Sequence, residues 1–122
     1  MLKNKKTVVI GASPNNDRYS FKATVSLQQN GYPVIPVGIK KGNINNLEII
    51  TEKPLLHEID TVTLYVGPQN QTEWKEYIFD LNPKRVIFNP GTENTLFERE
   101  LEEKGIEAIE ACTLVLLAID KY

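Results

Sequence analysis

Short apolar runs rich in β-branched residues alternate along this chain with longer stretches in which apolar positions recur every three or four residues. The first run, TVVIG at residues 7–11, is apolar throughout. That is the pattern of a strand covered on both faces, and it reads as a central strand. SFKATVSLQQNG at 20–31 predicts a helix of about three turns. Phe21, Thr24, Val25 and Gln28 share one face, Ser20 is placed as N-cap and Gly31 as C-cap. YPVIPVG at 32–38 is the second strand, and Pro33 and Pro36 assign it to an edge because proline supplies no ladder donor. Residues 39–60 are irregular, with a small extra strand expected at 47–50 and a helical turn at 55–59.

TVTLYVG at 61–67 is again a buried strand, and Pro68 suits the first turn of the helix that follows. Trp74, Tyr77, Ile78 and Leu81 give that helix an i, i+3, i+4, i+7 stripe. KRVIFN at 84–89 is the next strand; a helix packing through Leu96, Phe97 and Leu101 and closed by Gly105 comes after it. IEAIEA at 106–111 is the last strand, and the apolar tail CTLVLLAIDKY forms a helix docked on the sheet. Strands alternating with helices, joined by right-handed crossovers, define an α/β class. The expectation is one Rossmann-like domain over residues 1–122, with a five-stranded, mainly parallel sheet and helices on both faces.

Composition narrows the functional classes. At 122 residues the chain is long enough for one sizeable core, and 41% hydrophobic and 25% charged residues are ordinary globular values. No apolar run approaches the roughly 18 residues of a membrane span. The N-terminal lysines precede a run too short for a secretory h-region, so a cytoplasmic location is expected. A net charge of −2 gives no basic footprint for nucleic acid. Cys112 and His57 are the sole cysteine and histidine, which rules out an internal disulfide and leaves too few ligands for a Cys/His zinc site. His57 has no evident catalytic partner, and Cys112 reads as a small buried hydrophobe. Trp74 and Tyr77 read as core, ERELEEKG as a solvated face, and NPGTEN as either a helix cap or a pocket wall.

Candidate chemistry concentrates after the first strand, because open parallel sheets bind ligands at the carboxyl ends of their strands. Gly11 allows close backbone approach, Ser13 offers a hydroxyl, and the next helix presents unpaired N–H groups to an anion. Arg18 can add a bidentate phosphate contact. A dinucleotide site would carry G-x-G-x-x-G here and an acidic residue roughly 20 positions on. This chain has one glycine, and Lys40 and Lys41 stand where the acid would be. A phosphate rather than a ribose diol suits that place.

The residues Gly11, Ala12, Ser13, Pro14, then Arg18, Ser20 and Phe21, then Gly31, Tyr32, Val34, Pro36, Val37 and Lys40 carry a resemblance. The pattern is similar to that of the small stand-alone CoA-binding proteins, related to the CoA-binding domain of the succinyl-CoA synthetase α-subunit. It is specific over the first third of the chain and looser beyond. The resemblance implies coenzyme A or an acyl-CoA as ligand, with the diphosphate on Gly11, Ala12, Ser13 and the Ser20 helix start. It further implies Lys40 near the phosphorylated ribose, and adenine against Val66, Gly67 and Pro68. Where the family carries Asn-Pro before the lysine, this chain has Gly38 and Ile39, and a more flexible loop is expected.

The reading that follows is a binding module without a catalytic centre. An alternative is a small NADP-dependent reductase using Lys40 and Lys41 for the 2′-phosphate, although no Tyr-x-x-x-Lys pair is present. Another is a non-catalytic partner of a CoA ligase-like enzyme; a homodimer is also compatible.

Overall fold

In the computed structural model, which describes residues 4–122, the chain runs β1 (Thr7–Ile10), α1 (Tyr19–Gln29), β2 (Val34–Val37), β3 (Asn43–Ile44), β4 (Leu47–Glu48) and β5 (Thr61–Leu64). It continues through α2 (Thr72–Leu81), β6 (Arg85–Phe88), α3 (Thr95–Glu103), β7 (Glu107–Glu110) and α4 (Thr113–Ala118). Five strands form one parallel sheet in the order β2-β1-β5-β6-β7, and β3 and β4 pair as a separate antiparallel hairpin. Thr7 lies opposite both Val34 and Thr61, Thr61 opposite Arg85, and Arg85 opposite Glu107. The strands are therefore in step, and their carboxyl ends line up along one edge. β1 is interior, as its unbroken apolar run predicts, while β5 is the middle strand.

Alternation along the strands feeds two cores. Val8, Ile10, Val62, Leu64, Val86 and Phe88 face α2 and α3, where Trp74, Tyr77, Ile78, Leu81, Phe97 and Leu101 meet them. Val9 and Ile87 face the other way, toward Leu27 of α1 and Leu117 of α4. Burying each such side chain is worth about 1.5–3 kcal/mol, which holds the helices to both faces of the sheet. The Trp74, Tyr77, Ile78 and Leu81 stripe is buried as expected. In α3, Phe97 and Leu101 are buried but Leu96 is 62% exposed, because it falls a third of a turn away from their i, i+4 face.

The edge assignment of β2 holds, and its outer side is covered. Ile50 bridges Val37, with Ile50 N–H donating to Pro36 O and Gly38 N–H to Ile50 O. The strand expected at 47–50 shrinks to β4 plus that bridge. No helical turn forms at 55–59. Pro54 O instead accepts from the Tyr77 hydroxyl, Glu58 takes a positive φ of 59°, and Ile59 is buried, so the segment is held by contacts with α2 and the core.

Two cap assignments change. α1 begins at Tyr19, so Arg18 rather than Ser20 occupies the N-cap position, and Ser20 is buried inside the first turn. At the other end Asn30 is the C-cap and Gly31 follows it, with Gly31 N–H bonded to Gln28 O and Tyr32 N–H to Leu27 O. In NPGTEN neither glycine nor threonine caps α3; Asn94 does, accepting from Phe97 N–H while Glu98 accepts from Asn94 N–H. α4 is short, and the tail's anchor is Tyr122, whose hydroxyl lies 2.6 Å from that of Thr7 at the start of β1. Among the described residues no helix is long and apolar enough to cross a membrane.

Candidate functional site

The sheet order reverses direction between β1 and β5, and a cleft of about 770 Å³ opens at their carboxyl ends. Gly11, Ala12, Ser13, Arg18 and Ser20 line it from the first loop and α1, Lys40 from the β2 loop, and Val66 and Gly67 from the β5 loop. Eight of the nine residues singled out from the sequence thus share one cleft. Pro68 does not. It is exposed at the first position of a 3-10 turn, Pro68–Asn70, which returns Asn70 rather than Pro68 to the cleft wall.

The glycines work differently from the expectation. Gly11 has φ +95°, and a Cβ there would stand 2.8 Å from Tyr65 O and 3.1 Å from Val66 Cγ2. Its missing side chain lets the ends of β1 and β5 touch. Gly11 and Ala12 N–H groups are also spent, both donating to Val37 O at 3.0 Å. Gly38 is tighter still, since a Cβ would lie 2.3 Å from Ala12 O. With its amide bonded to Ile50 O, the Gly38 loop is pinned where greater flexibility was expected.

The anion-binding capacity therefore lies a little further along. Ser13 Oγ accepts from Asn15 N–H at 3.1 Å, and Asn15 Oδ1 accepts from Asp17 N–H at 2.9 Å. These turns fix the loop and leave the Ser13 hydroxyl proton free to be donated. No side chain caps α1, so the amides of its first turn remain open at the cleft. Among the described residues the sole ion pair joins Lys75 and Glu100, so the exposed Arg18 and Lys40 are uncommitted cations. Lys41 does not reach the cleft. Asp17, just before the N-cap of α1, and Glu73, in the first turn of α2, add two carboxylates.

Sequence reasoning did not single out Tyr19, Ile39, Tyr65, Asn70 or Trp74 as cleft residues. Trp74 belongs to the core, 5% exposed, yet contributes to the wall. Gln71 was also missed. Wholly buried, it donates to Val66 O and Thr92 O and accepts from Asn94 Nδ2, tying the β5 loop to the loop after β6. Nothing in its sequence neighbourhood marks it, because all three partners are reached only by folding.

His57 is exposed and away from the cleft. Cys112 is half-buried and lines a second, smaller cavity of about 280 Å³ with Tyr19, Tyr65, Asn89, Pro90 and Leu114. Asn89 fixes that region: its amide nitrogen donates to Thr63 Oγ1 and Leu64 O, and its oxygen accepts from Thr113 N–H. Burial drives the Tyr65 hydroxyl well above the ordinary tyrosine pKa of 10. No cluster of metal-ligating side chains occurs among the described residues.

Comparison with known proteins supplies the family and the fold. Residues 5–118 match the family model described as a CoA binding domain. A solved structure of an uncharacterized protein is 49% identical over 97% of this chain and 98% of its own, with a TM-score of 0.95. A hypothetical protein from Pyrococcus horikoshii OT3 is 26% identical with a TM-score of 0.81, covering 91% of this chain and 80% of its own. A conserved hypothetical protein from Pyrococcus furiosus is likewise 26% identical, with a TM-score of 0.79, over 91% of this chain and 97% of its own. No curated protein matches. The chain belongs to the CoA-binding domain family.

Proposed function

We propose that this member of the CoA-binding domain family holds coenzyme A or an acyl-CoA in the cleft between β1 and β5, as a cytoplasmic binding module without a catalytic centre of its own. The observation that carries the reading is the uncapped start of α1, opening with Ser13 and Arg18 onto a cleft that also holds the unpaired Lys40. Helix-terminal amides and a guanidinium suit a diphosphate, and the lysine one loop away suits the separate phosphate on the ribose. Val66, Gly67 and Asn70 then offer a wall with polar edges to the adenine, and the carboxylates of Asp17 and Glu73 suit the adenine amine and the ligand's ribose and pantoate hydroxyls.

Calorimetric titration tests this. Saturable CoA binding, weaker for dephospho-CoA and undisturbed by NADPH, is the expected result. No CoA binding at millimolar ligand overturns the reading, and saturable NADPH binding without CoA competition favours a reductase instead.

A further inference from the structure

The second cavity adjoins the cleft through Tyr19 and Tyr65, which line both. Its other walls come from Asn89 and Pro90 in the loop after β6, Cys112 after β7, and Leu114 in the first turn of α4. Along the sheet edge β7 is three strands from β1, roughly 14 Å at the usual strand spacing. A ligand anchored at the start of α1 needs an extended arm to cross from there to the far wall, and the pantetheine arm of CoA is one, ending in a thiol or thioester. We propose that this cavity receives the acyl end of the ligand, so that the species held is a short-chain acyl-CoA in preference to free CoA; the inference rests on the CoA reading above.

The lining gives the cavity that specificity. Its lining is largely aromatic ring, proline and leucine, and the Asn89 side chain is already committed at both ends. A bare thiol gains little from such walls, whereas each methylene buried there raises affinity roughly fourfold. The volume sets an upper limit: an apolar cavity of about 150 Å³ accepts a benzene-sized guest, so about 280 Å³ takes a short acyl group and not a long fatty chain.

The test is a ligand series titrated against the intact protein in reducing buffer: CoA, acetyl-CoA, butyryl-CoA and palmitoyl-CoA. Affinity is expected to rise from CoA to butyryl-CoA by tenfold or more and to fall for palmitoyl-CoA. Leu114→Trp, which fills the cavity from a half-buried position, should abolish the preference, so that butyryl-CoA and CoA bind alike. CoA binding as tightly as the short esters, or an acyl preference unchanged by Leu114→Trp, overturns the proposal. The wild-type series decides the matter even where a variant fails to fold. Failure of every ligand to bind, CoA included, overturns the parent reading and this one with it.

Discussion

Alanine placed at three glycines separates the two ways in which the cleft loops depend on a missing Cβ. Gly105 has φ +79° and open space around its Cβ position, so only backbone strain opposes substitution there. That strain is about 1–2 kcal/mol, offset by about 0.4–1 kcal/mol from the lost freedom of the unfolded chain. Gly38 is the converse case. Its φ lies outside the left-handed region, but its Cβ would meet Ala12 O at 2.3 Å, backbone against backbone. Moving the β1 loop to relieve this costs about 1–3 kcal/mol. Gly11 combines φ +95° with a 2.8 Å approach to Tyr65 O, and the two costs sum to about 2–4 kcal/mol after the same offset. Thermal unfolding reads these out at about 3–6 °C per kcal/mol for a chain of this length. Ligand titration supplies the second axis, since Gly11→Ala and Gly38→Ala displace loops that wall the cleft and should weaken CoA binding at least tenfold. Gly105→Ala, at the far end of α3, should leave binding unchanged. The reasoning is refuted if Gly38→Ala is as stable as the parent protein and binds CoA equally well, because an ordinary Gly→Ala change at an unstrained position is stabilising.

Lys40→Ala should reduce affinity for CoA about tenfold and leave dephospho-CoA unaffected, as measured by parallel titrations; equal losses for both ligands would place the lysine elsewhere. Asn89→Ala strips the Thr113 amide of its acceptor and Thr63 of a donor in a site that is 1% exposed, a loss of about 2–4 kcal/mol in urea unfolding. The Glu98 carboxyl is held above its ordinary value of 4.5, first by burial and then by the neighbouring Glu110 carboxyl. The folded state thus binds this proton more tightly than the unfolded one, so its contribution to stability is full below about pH 4.5 and is lost as pH rises through the folded-state value. Glu98→Gln should flatten that part of the stability profile, and an unchanged slope would show that Glu98 does not titrate as described.

How much of this was legible before folding depends on whether a residue's partners lie in its own element. The strands were readable because runs such as TVVI and TVTL carry their burial pattern within themselves, and Pro33 and Pro36 mark the edge by what they lack. Residues 39–60 were not, because their conformation is set from outside, by Val37 pairing with Ile50 and by Tyr77 reaching Pro54. Ser20 illustrates a local error with a local cause. The Ser13 and Asn15 turns tighten the loop so that the helix starts two residues earlier, and the serine sits in its first turn rather than before it. The Gly11 loop teaches most. A three-glycine fingerprint places its close approaches within one turn, and by that measure a lone glycine looks deficient. Here Gly11 opens the contact with β5 and Gly38 the contact with Ala12, so the close packing is shared between loops 27 residues apart in sequence and adjacent in space. With the first amides of the loop consumed by Val37 O, what faces the cleft is the start of α1, Arg18 and Lys40. A single-loop pattern cannot register such a site; the spacing from Gly11 to the lysine can, because that spacing follows from the strand-helix-strand unit that brings the two loops together.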